Sequence, residues 1–179
     1  PSEFMEDMWG QGDTVYAVGG NGTILQSSNR GATWTTMSSP TTASLYGVWG
    51  AAADGPVYAA GYNGTVLRYN GANWSRMATN TNSSAMTFHG IWGSSGQDVY
   101  VVGETWPFLG SNESQIIRYD GSSWKESYYS YNVQPEKYLT GIWGRSEKDI
   151  IAFGTTNLRK QCGRAWGEIS SAGIPPLEK

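Results

Sequence analysis

Histidine and cysteine, two residue types common in catalytic sites, occur once each in this chain. The only histidine, His89, and the only cysteine, Cys162, lie far apart in the sequence. A nucleophilic cysteine needs a base within hydrogen-bonding distance, so we interpret Cys162 as a small core residue and His89 as a hydrogen-bonded polar residue. No spacing matches a calcium loop or a zinc site. The sequence therefore predicts no catalytic residue, no metal and no cofactor.

A carboxylate recurs before four similar apolar segments; these residues are Asp13, Asp54, Asp98 and Asp149. Four carboxylates at equivalent positions could form a ring that holds a cation. Aspartate also commonly accepts a backbone amide in a turn, and the interval from the preceding glycine varies among the four. We favour turn capping over a cation site.

The residues best suited to recognition lie in two long segments, 103–115 and 126–138. These segments place aromatic rings beside amide and carboxylate groups such as Glu104 and Glu113, which suits the faces of sugars or a peptide. Loops on a rigid scaffold often carry binding residues. The alternative is a small satellite core formed under a long loop, with the tyrosines extending a strand. The candidate ligand-binding residues are Trp106, Phe108, Asn112, Tyr128, Tyr129, Tyr131 and Tyr138.

Both long segments interrupt an internal repeat with four copies. Each copy begins with a Trp-Gly pair and continues with an apolar segment that ends in glycine: VYAVG, VYAAG, VYVVG and IIAFG. Eight of the nine tryptophans occupy just two repeat positions, which chance does not explain. The first position holds Trp9, Trp49, Trp92 and Trp143, and the second holds Trp34, Trp74, Trp124 and Trp166.

Each copy divides into four short segments rich in β-branched and aromatic residues. Asn21-Gly22 and Asn63-Gly64 predict tight hairpins in which both residues have positive φ, and Asn70-Gly71 and Asp120-Gly121 predict the same turn one strand later. Four antiparallel strands in about 40–50 residues are typical of a propeller blade. A β-sandwich is the alternative, but it does not need tryptophan at two fixed positions. The sequence predicts an all-β propeller of about four four-stranded blades.

We expect residues 5–179 to form one propeller domain, with residues 1–4 a cloning remnant. The blades are expected at about 5–43, 44–85, 86–136 and 137–179, and the irregular segment 155–165 predicts that the fourth blade lacks a regular third strand. Three arrangements are open: a closed four-bladed ring, a part of a larger propeller, or two copies assembled into one larger ring. Because each blade is whole and in phase, we favour an incomplete ring or an oligomer with an exposed edge that needs a partner.

The stretch SSNRGATW (27–34) resembles the Asp-box motif S-x-D-x-G-x-T-W, with Asn29 in place of the aspartate. Together with the preceding VYAVGGNGTIL, it resembles the Asp-box (BNR) propeller repeats of sialidase-like proteins and is similar to the photosystem II stability/assembly factor family. The resemblance implies a propeller in which this turn is structural and lies away from the ligand site. It gives a stabilising role to Ser27, Asn29, Gly31 and Trp34.

The composition of the chain and the absence of certain motifs argue against several classes of function. Charged residues make up 15% of the chain and the net charge is −3, which argues against nucleic acid as a partner. No apolar run is long enough to span a membrane, and the low charge favours an exported protein. The Arg-Ile-Pro element of sialidases is absent, and no two carboxylates suit paired acid–base work. We predict a non-catalytic binding module for a protein or glycan partner; a scaffold within a larger complex is the alternative, and a sialidase-type glycosidase is the least favoured.

Overall fold

The computed structural model describes residues 4–52, 55–79, 86–105, 113–131, 138–154, 158–162 and 165–169. Sixteen strands and one 3-10 turn (Gly20–Gly22) lie within these residues. The strands are β1 (Met5–Gln11), β2 (Thr14–Gly19), β3 (Ile24–Ser27), β4 (Thr35–Thr36), β5 (Leu45–Gly50), β6 (Val57–Gly61), β7 (Val66–Tyr69), β8 (Trp74–Arg76), β9 (Met86–Ser95), β10 (Asp98–Thr105), β11 (Glu113–Tyr119), β12 (Trp124–Tyr131), β13 (Leu139–Ser146), β14 (Asp149–Gly154), β15 (Leu158–Cys162) and β16 (Ala165–Glu168).

The strands pair with their neighbours in sequence to form four antiparallel sheets of four strands each: β1–β4, β5–β8, β9–β12 and β13–β16. The predicted all-β architecture of four-stranded blades is therefore confirmed. The first strand of each sheet pairs with the second strand in one register, in which an equivalent residue lies opposite the glycine that closes the repeated apolar segment. These pairs are Met5 with Gly19, Leu45 with Gly61, Phe88 with Gly103 and Leu139 with Gly154.

The core lies between the sheets, with one apolar cluster enclosed by each pair of neighbours. Between the second and third blades, Tyr58 and Val66 of one sheet pack with Val99 and Ile117 of the other, and all four side chains are fully buried. Each middle sheet thus buries both of its faces. This explains why its second strand is apolar at consecutive positions and does not alternate with polar residues.

The Trp-Gly pairs recur because the tryptophan of one blade lies on the glycine of the next. A Cβ atom placed on that glycine would stand 2.5, 2.7 or 2.8 Å from an indole carbon in the three interfaces, closer than real Cβ atoms approach other heavy atoms. Only glycine lets the indole come this near. The three contacts are Trp9 on Gly50, Trp49 on Gly93 and Trp92 on Gly144.

Two of the predicted turns are confirmed and two differ. Asn21 and Asn63 have φ angles of 54° and 58°, and the glycine after each is also left-handed. Asn70 and Asp120 do not have positive φ; only the glycines that follow them do. Their side-chain Oδ1 atoms instead accept the backbone amides two and three residues ahead, so the side chain builds the turn.

The fourth blade has the third strand that the sequence did not predict. Strand β15 pairs with β14 and β16, so the expectation of an irregular segment is wrong for residues 158–162. Strand pairing uses backbone groups, which any sequence supplies, and polar side chains stand where the two middle blades have leucine or isoleucine and tyrosine. Gln161 is buried and donates to the Tyr100 hydroxyl at 3.3 Å, and the guanidinium of Arg159 lies 4.5 Å from the ring centre of Tyr128.

Packing between blades follows chain order, and the sheets do not close into a ring. Large apolar side chains are therefore exposed at the two ends. On the first blade Met8 is 64% exposed, and on the fourth blade Trp143 is 54% exposed. Within the described ranges, no helix has the length and apolarity that a membrane crossing requires.

Candidate functional site

The third blade is taller than the others because its strands continue into the two long segments. Strand β10 has eight residues where β6 has five, and the outermost strand β12 has eight where β8 has three. The additional rungs join Glu104 to Ser114 and Ser130, and join Thr105 to Glu113 and Tyr131. The described part of these segments is thus sheet. Trp106, Phe108 and Asn112 lie outside the described residues.

The candidate tyrosines do not form one cluster, because the pleat of β12 divides them between two faces. Tyr128 pairs with Ile116 and packs on the side of the fourth blade, against the cluster that contains Tyr100 and Trp166. The guanidinium of Arg159 lies over its ring. Tyr128 is therefore engaged in the contact between two blades.

Tyr129 and Tyr131 lie on the opposite face of the same strand. They pair with Gln115 and Glu113 of β11, which alternate with Ile117 and so face the second blade. Tyr129 is 43% exposed and Tyr131 is 64% exposed. We call Tyr129 and Tyr131, with the carboxylates of Glu113 and Glu126 beside them, the tyrosine strip.

The tyrosine strip combines hydroxyl donors with carboxylate acceptors. Partial burial, and after it the neighbouring carboxylate of Glu113, raises the pKa of Tyr129 above its ordinary value, so its hydroxyl keeps its proton at neutral pH. Gln115 Nε2 donates to Glu126 Oε2 at 3.0 Å and holds that carboxylate at the same face. The strip can therefore donate through its hydroxyls and accept through its acids.

Tyr138 belongs to a different group of side chains. It precedes β13 and is half-buried, and burial followed by the charge of Glu104 raises its pKa. Glu104 is only 7% exposed, and its Oε1 lies 2.6 Å from Nε2 of His89. The centre of the His89 ring lies 5.5 Å from that of Tyr46, which is on β5, the first strand of the preceding blade. The structure thus gives His89 the hydrogen-bonded position that the sequence suggests, with a partner that the sequence did not identify.

The recurring aspartates pair with arginines. Asp13 accepts from Arg30 at 2.6 Å, Asp98 accepts from Arg118 at 2.6 Å, and Asp149 accepts from Arg145 at 2.7 Å. These partners replace the turn amides that we expected, so the predicted capping role is wrong for the three; Asp54 lies outside the described residues. Among the described residues, no group of three or more His, Cys, Asp or Glu side chains is placed to hold a metal ion.

The Asp-box-like turn satisfies its own polar groups. Ser27 Oγ accepts the amides of Asn29 and Gly31 at 3.2 and 2.8 Å and donates to Asn29 Oδ1 at 2.9 Å. Asn29 Oδ1 also accepts the amide of Thr33 at 2.8 Å. Gly31 has a φ of 87°, and the Trp34 ring lies 3.5 Å from where its Cβ would stand. Because this turn joins a third strand to a fourth, it lies at the opposite end of the blades from Thr105, where β10 ends.

Comparison with known proteins identifies the arrangement of the blades. No family model and no curated protein matches the chain. Solved structures do match the chain. The structure of YCF48 bound to D1 peptide matches at 14% sequence identity and a TM-score of 0.65, over 93% of this chain and 54% of that one. YCF48 from Cyanidioschyzon merolae matches at 14% sequence identity and a TM-score of 0.65, over 95% of this chain and 58% of that one. The fold is a β-propeller.

A third propeller in these comparisons is an enzyme. The GH74 xyloglucanase from Xanthomonas campestris matches at 14% identity and a TM-score of 0.65, over 89% of this chain and 28% of that one. Identities this low show the shared fold and nothing of the chemistry. The chain spans little more than half the length of the two YCF48 chains.

Proposed function

We propose that this chain is a non-catalytic propeller module with an Asp-box (BNR) repeat, and that it binds a protein partner through the tyrosine strip. The observation that carries the proposal is the exposure of Tyr129 and Tyr131 on a long outer strand. Tyrosine offers a large contact area and a hydroxyl at a low cost in side-chain entropy. The rigid sheet below holds both rings in place before a partner arrives.

The outer edge of β12 suits an extended peptide. Within the described residues β12 pairs with β11 alone, so the backbone groups of its other edge are open to a further strand. A peptide paired with eight residues of β12 would run past both exposed tyrosines. Glu113 and Glu126 favour a peptide that carries lysine or arginine, because opposite charges across an interface speed and orient association.

The comparisons support a peptide partner by analogy of fold. One of the matching propellers was solved with a D1 peptide bound. A glycan is the second candidate, because exposed tyrosine rings beside carboxylates also suit sugar faces; a scaffold role in a larger complex would use the same protein contact. The xyloglucanase likeness does not transfer an activity, and the single histidine is hydrogen-bonded to Glu104, with its ring tilted against that of Tyr46.

A peptide-display selection tests the proposal. The chain would be panned against a random peptide library and, in parallel, applied to a glycan array. We expect enriched peptides rich in lysine or arginine whose affinity falls at least about 10-fold in the Tyr129→Ala/Tyr131→Ala double variant, since central aromatic residues dominate interface energies. Tyr62→Ala is the matched control, because Tyr62 is 57% exposed on the second blade.

The outcome separates binding from folding. The double variant should keep the thermal unfolding midpoint of the wild type, and Tyr62→Ala should keep both the midpoint and the affinity. Selected peptides that bind the double variant as tightly as the wild type would contradict the proposal. Binding to the glycan array alone would replace the peptide with a glycan.

A further inference from the structure

The two end blades leave uncovered the contacts that the three internal interfaces make. Each internal interface places the tryptophan of one blade on the glycine of the next. At the end of this series Trp143 is 54% exposed. At its beginning, the three atoms nearest to a Cβ on Gly10 would belong to Val15 and Thr14, and none of them to an indole. One free tryptophan and one free glycine of the same series therefore remain.

The rest of the two free faces also keeps the residue types of an interface. On the first blade, Met8 stands where the other blades have Val48, Ile91 and Ile142, which are at most 8% exposed. Trp34 is 39% exposed where the corresponding tryptophans, Trp74, Trp124 and Trp166, are buried against the preceding blade. On the fourth blade, Phe153 is 44% exposed and stands where Val18, Ala60 and Val102 are fully buried.

We propose that two copies of this chain close one ring of eight blades, with Trp143 of each copy lying on Gly10 of the other. The occupant of each free face is inferred from the chain itself, which forms the same tryptophan-on-glycine contact three times. A two-fold rotation generates both new contacts at once and leaves no apolar end exposed. Eight blades lie within the usual range for propellers.

Two features make the proposed interface between copies weaker than the interfaces within one chain. Ile151 and Ser27 stand at the positions that Tyr58 and Tyr119 occupy between the second and third blades, where the two rings lie 6.3 Å apart. The ring of Phe153 also covers Gly141, closer than a Cβ atom there would allow, so the ring must turn aside when a neighbouring blade docks. We therefore expect a dimer that dissociates on dilution.

Sedimentation velocity on the 179-residue chain tests the inference. We expect a species of about twice 19.5 kDa that gives way to the monomer as the protein is diluted. Trp143→Ala, on the fourth blade, and Gly10→Ala, on the first, should each leave only the monomer at the concentration where the wild type is dimeric. Met8→Glu is a second disruption of the first blade, at a side chain that is mostly exposed. Tyr62→Ala, remote from both faces, should stay dimeric.

Mixing distinguishes a head-to-tail contact from a symmetric one. Trp143→Ala and Gly10→Ala monomers still hold one intact Trp143 and one intact Gly10 between them, so an equimolar mixture should recover a species of double mass with one native contact. A wild type that is monomeric at every concentration would overturn the inference and leave the faces to a blade outside this chain. Loss of the dimer in only one of the Trp143 and Gly10 variants, or masses that keep growing with concentration, would overturn ring closure. None of these results affects the peptide selection.

Discussion

The middle of the propeller and its two ends use the same residues in different surroundings. Trp124 and Trp34 occupy one repeat position, yet Trp124 is 3% exposed and Trp34 is 39% exposed. The difference is the neighbouring blade: Trp124 packs against the second blade, whereas Trp34 belongs to the first blade that the structure describes and is not covered by another. A repeat motif therefore fixes where a side chain stands, and the adjacent sheet decides how much that side chain stabilises the fold.

The largest expected effect is on the free energy of unfolding, when the buried tryptophan and the exposed one are each replaced by alanine. Trp124→Ala removes a buried indole from an internal interface and should lower the free energy of unfolding by about 3–5 kcal/mol, the usual cost of emptying such a site. Trp34→Ala should cost less than about 2 kcal/mol, because much of that ring already contacts water. Urea denaturation of both, in the Trp143→Ala background so that no second copy covers Trp34, gives the comparison. Equal losses would show that the first blade is packed in a way that its exposure does not reveal.

The blades could be predicted from the repeat because its motifs consist of residues that make short-range contacts. The Trp-Gly pairs and the Asn-Gly turns at 21–22 and 63–64 each depend on a few neighbouring positions, and the structure confirms the four-stranded blades and these two turns. Strand β15 was missed because its inward side chains, Arg159 and Gln161, are polar, and only contact with the third blade shows how they are accommodated.

The candidate site was less predictable for a related reason. Sequence placed Tyr128, Tyr129, Tyr131 and Tyr138 in one group because they are close along the chain. The structure separates them, since alternation along β12 and a bulge beside Ile116 send Tyr128 to one face and the strip to the other. The pairing of His89 with Glu104 joins residues on two strands, and it depended on the length of β10, which the repeat does not encode.

The first blade and the two middle blades also differ in the turn between the third and fourth strands, just before the second tryptophan of the repeat. At one position the middle blades have Tyr69 and Tyr119, whose hydroxyls donate to the carbonyls of Gly71 and Gly121 at 2.9 Å. The first blade has Ser27 there, and its hydroxyl is almost fully buried within its own turn.

Ser27→Ala should therefore destabilise the chain by about 1–2 kcal/mol, because the amides of Asn29 and Gly31 lose their acceptor. Ser28→Ala, one residue later and exposed, is the matched control and should be nearly neutral. Chemical denaturation measures both. A neutral Ser27→Ala would mean that water replaces the hydroxyl without cost and that the turn does not depend on its side chains.

The smallest expected effect separates two turns within the middle of the propeller. Asn70 and Asp120 accept the same two backbone amides, but Asp120 also pairs with Lys125, where the second blade has Ser75. The Lys125 ammonium, followed by the Ser122 hydroxyl and the amides of Ser123 and Ser122, lowers the pKa of Asp120 well below its ordinary value.

A lowered pKa in the folded state means that the unfolded chain takes up the proton first as the pH falls. The contribution of Asp120 is therefore complete above about pH 5, one unit above the ordinary pKa of an aspartate, and is lost as the pH falls towards the folded value. Asp120→Asn cannot titrate, so its difference in unfolding free energy from the wild type should be constant from pH 7 to about pH 5 and shrink at lower pH. Lys125→Ser, which copies the second blade, should reduce that pH dependence because the main cause of the lowered pKa is gone. A difference that stays constant at low pH would show that the ammonium and the turn amides do not hold the carboxylate in solution, and that the two turns are equivalent.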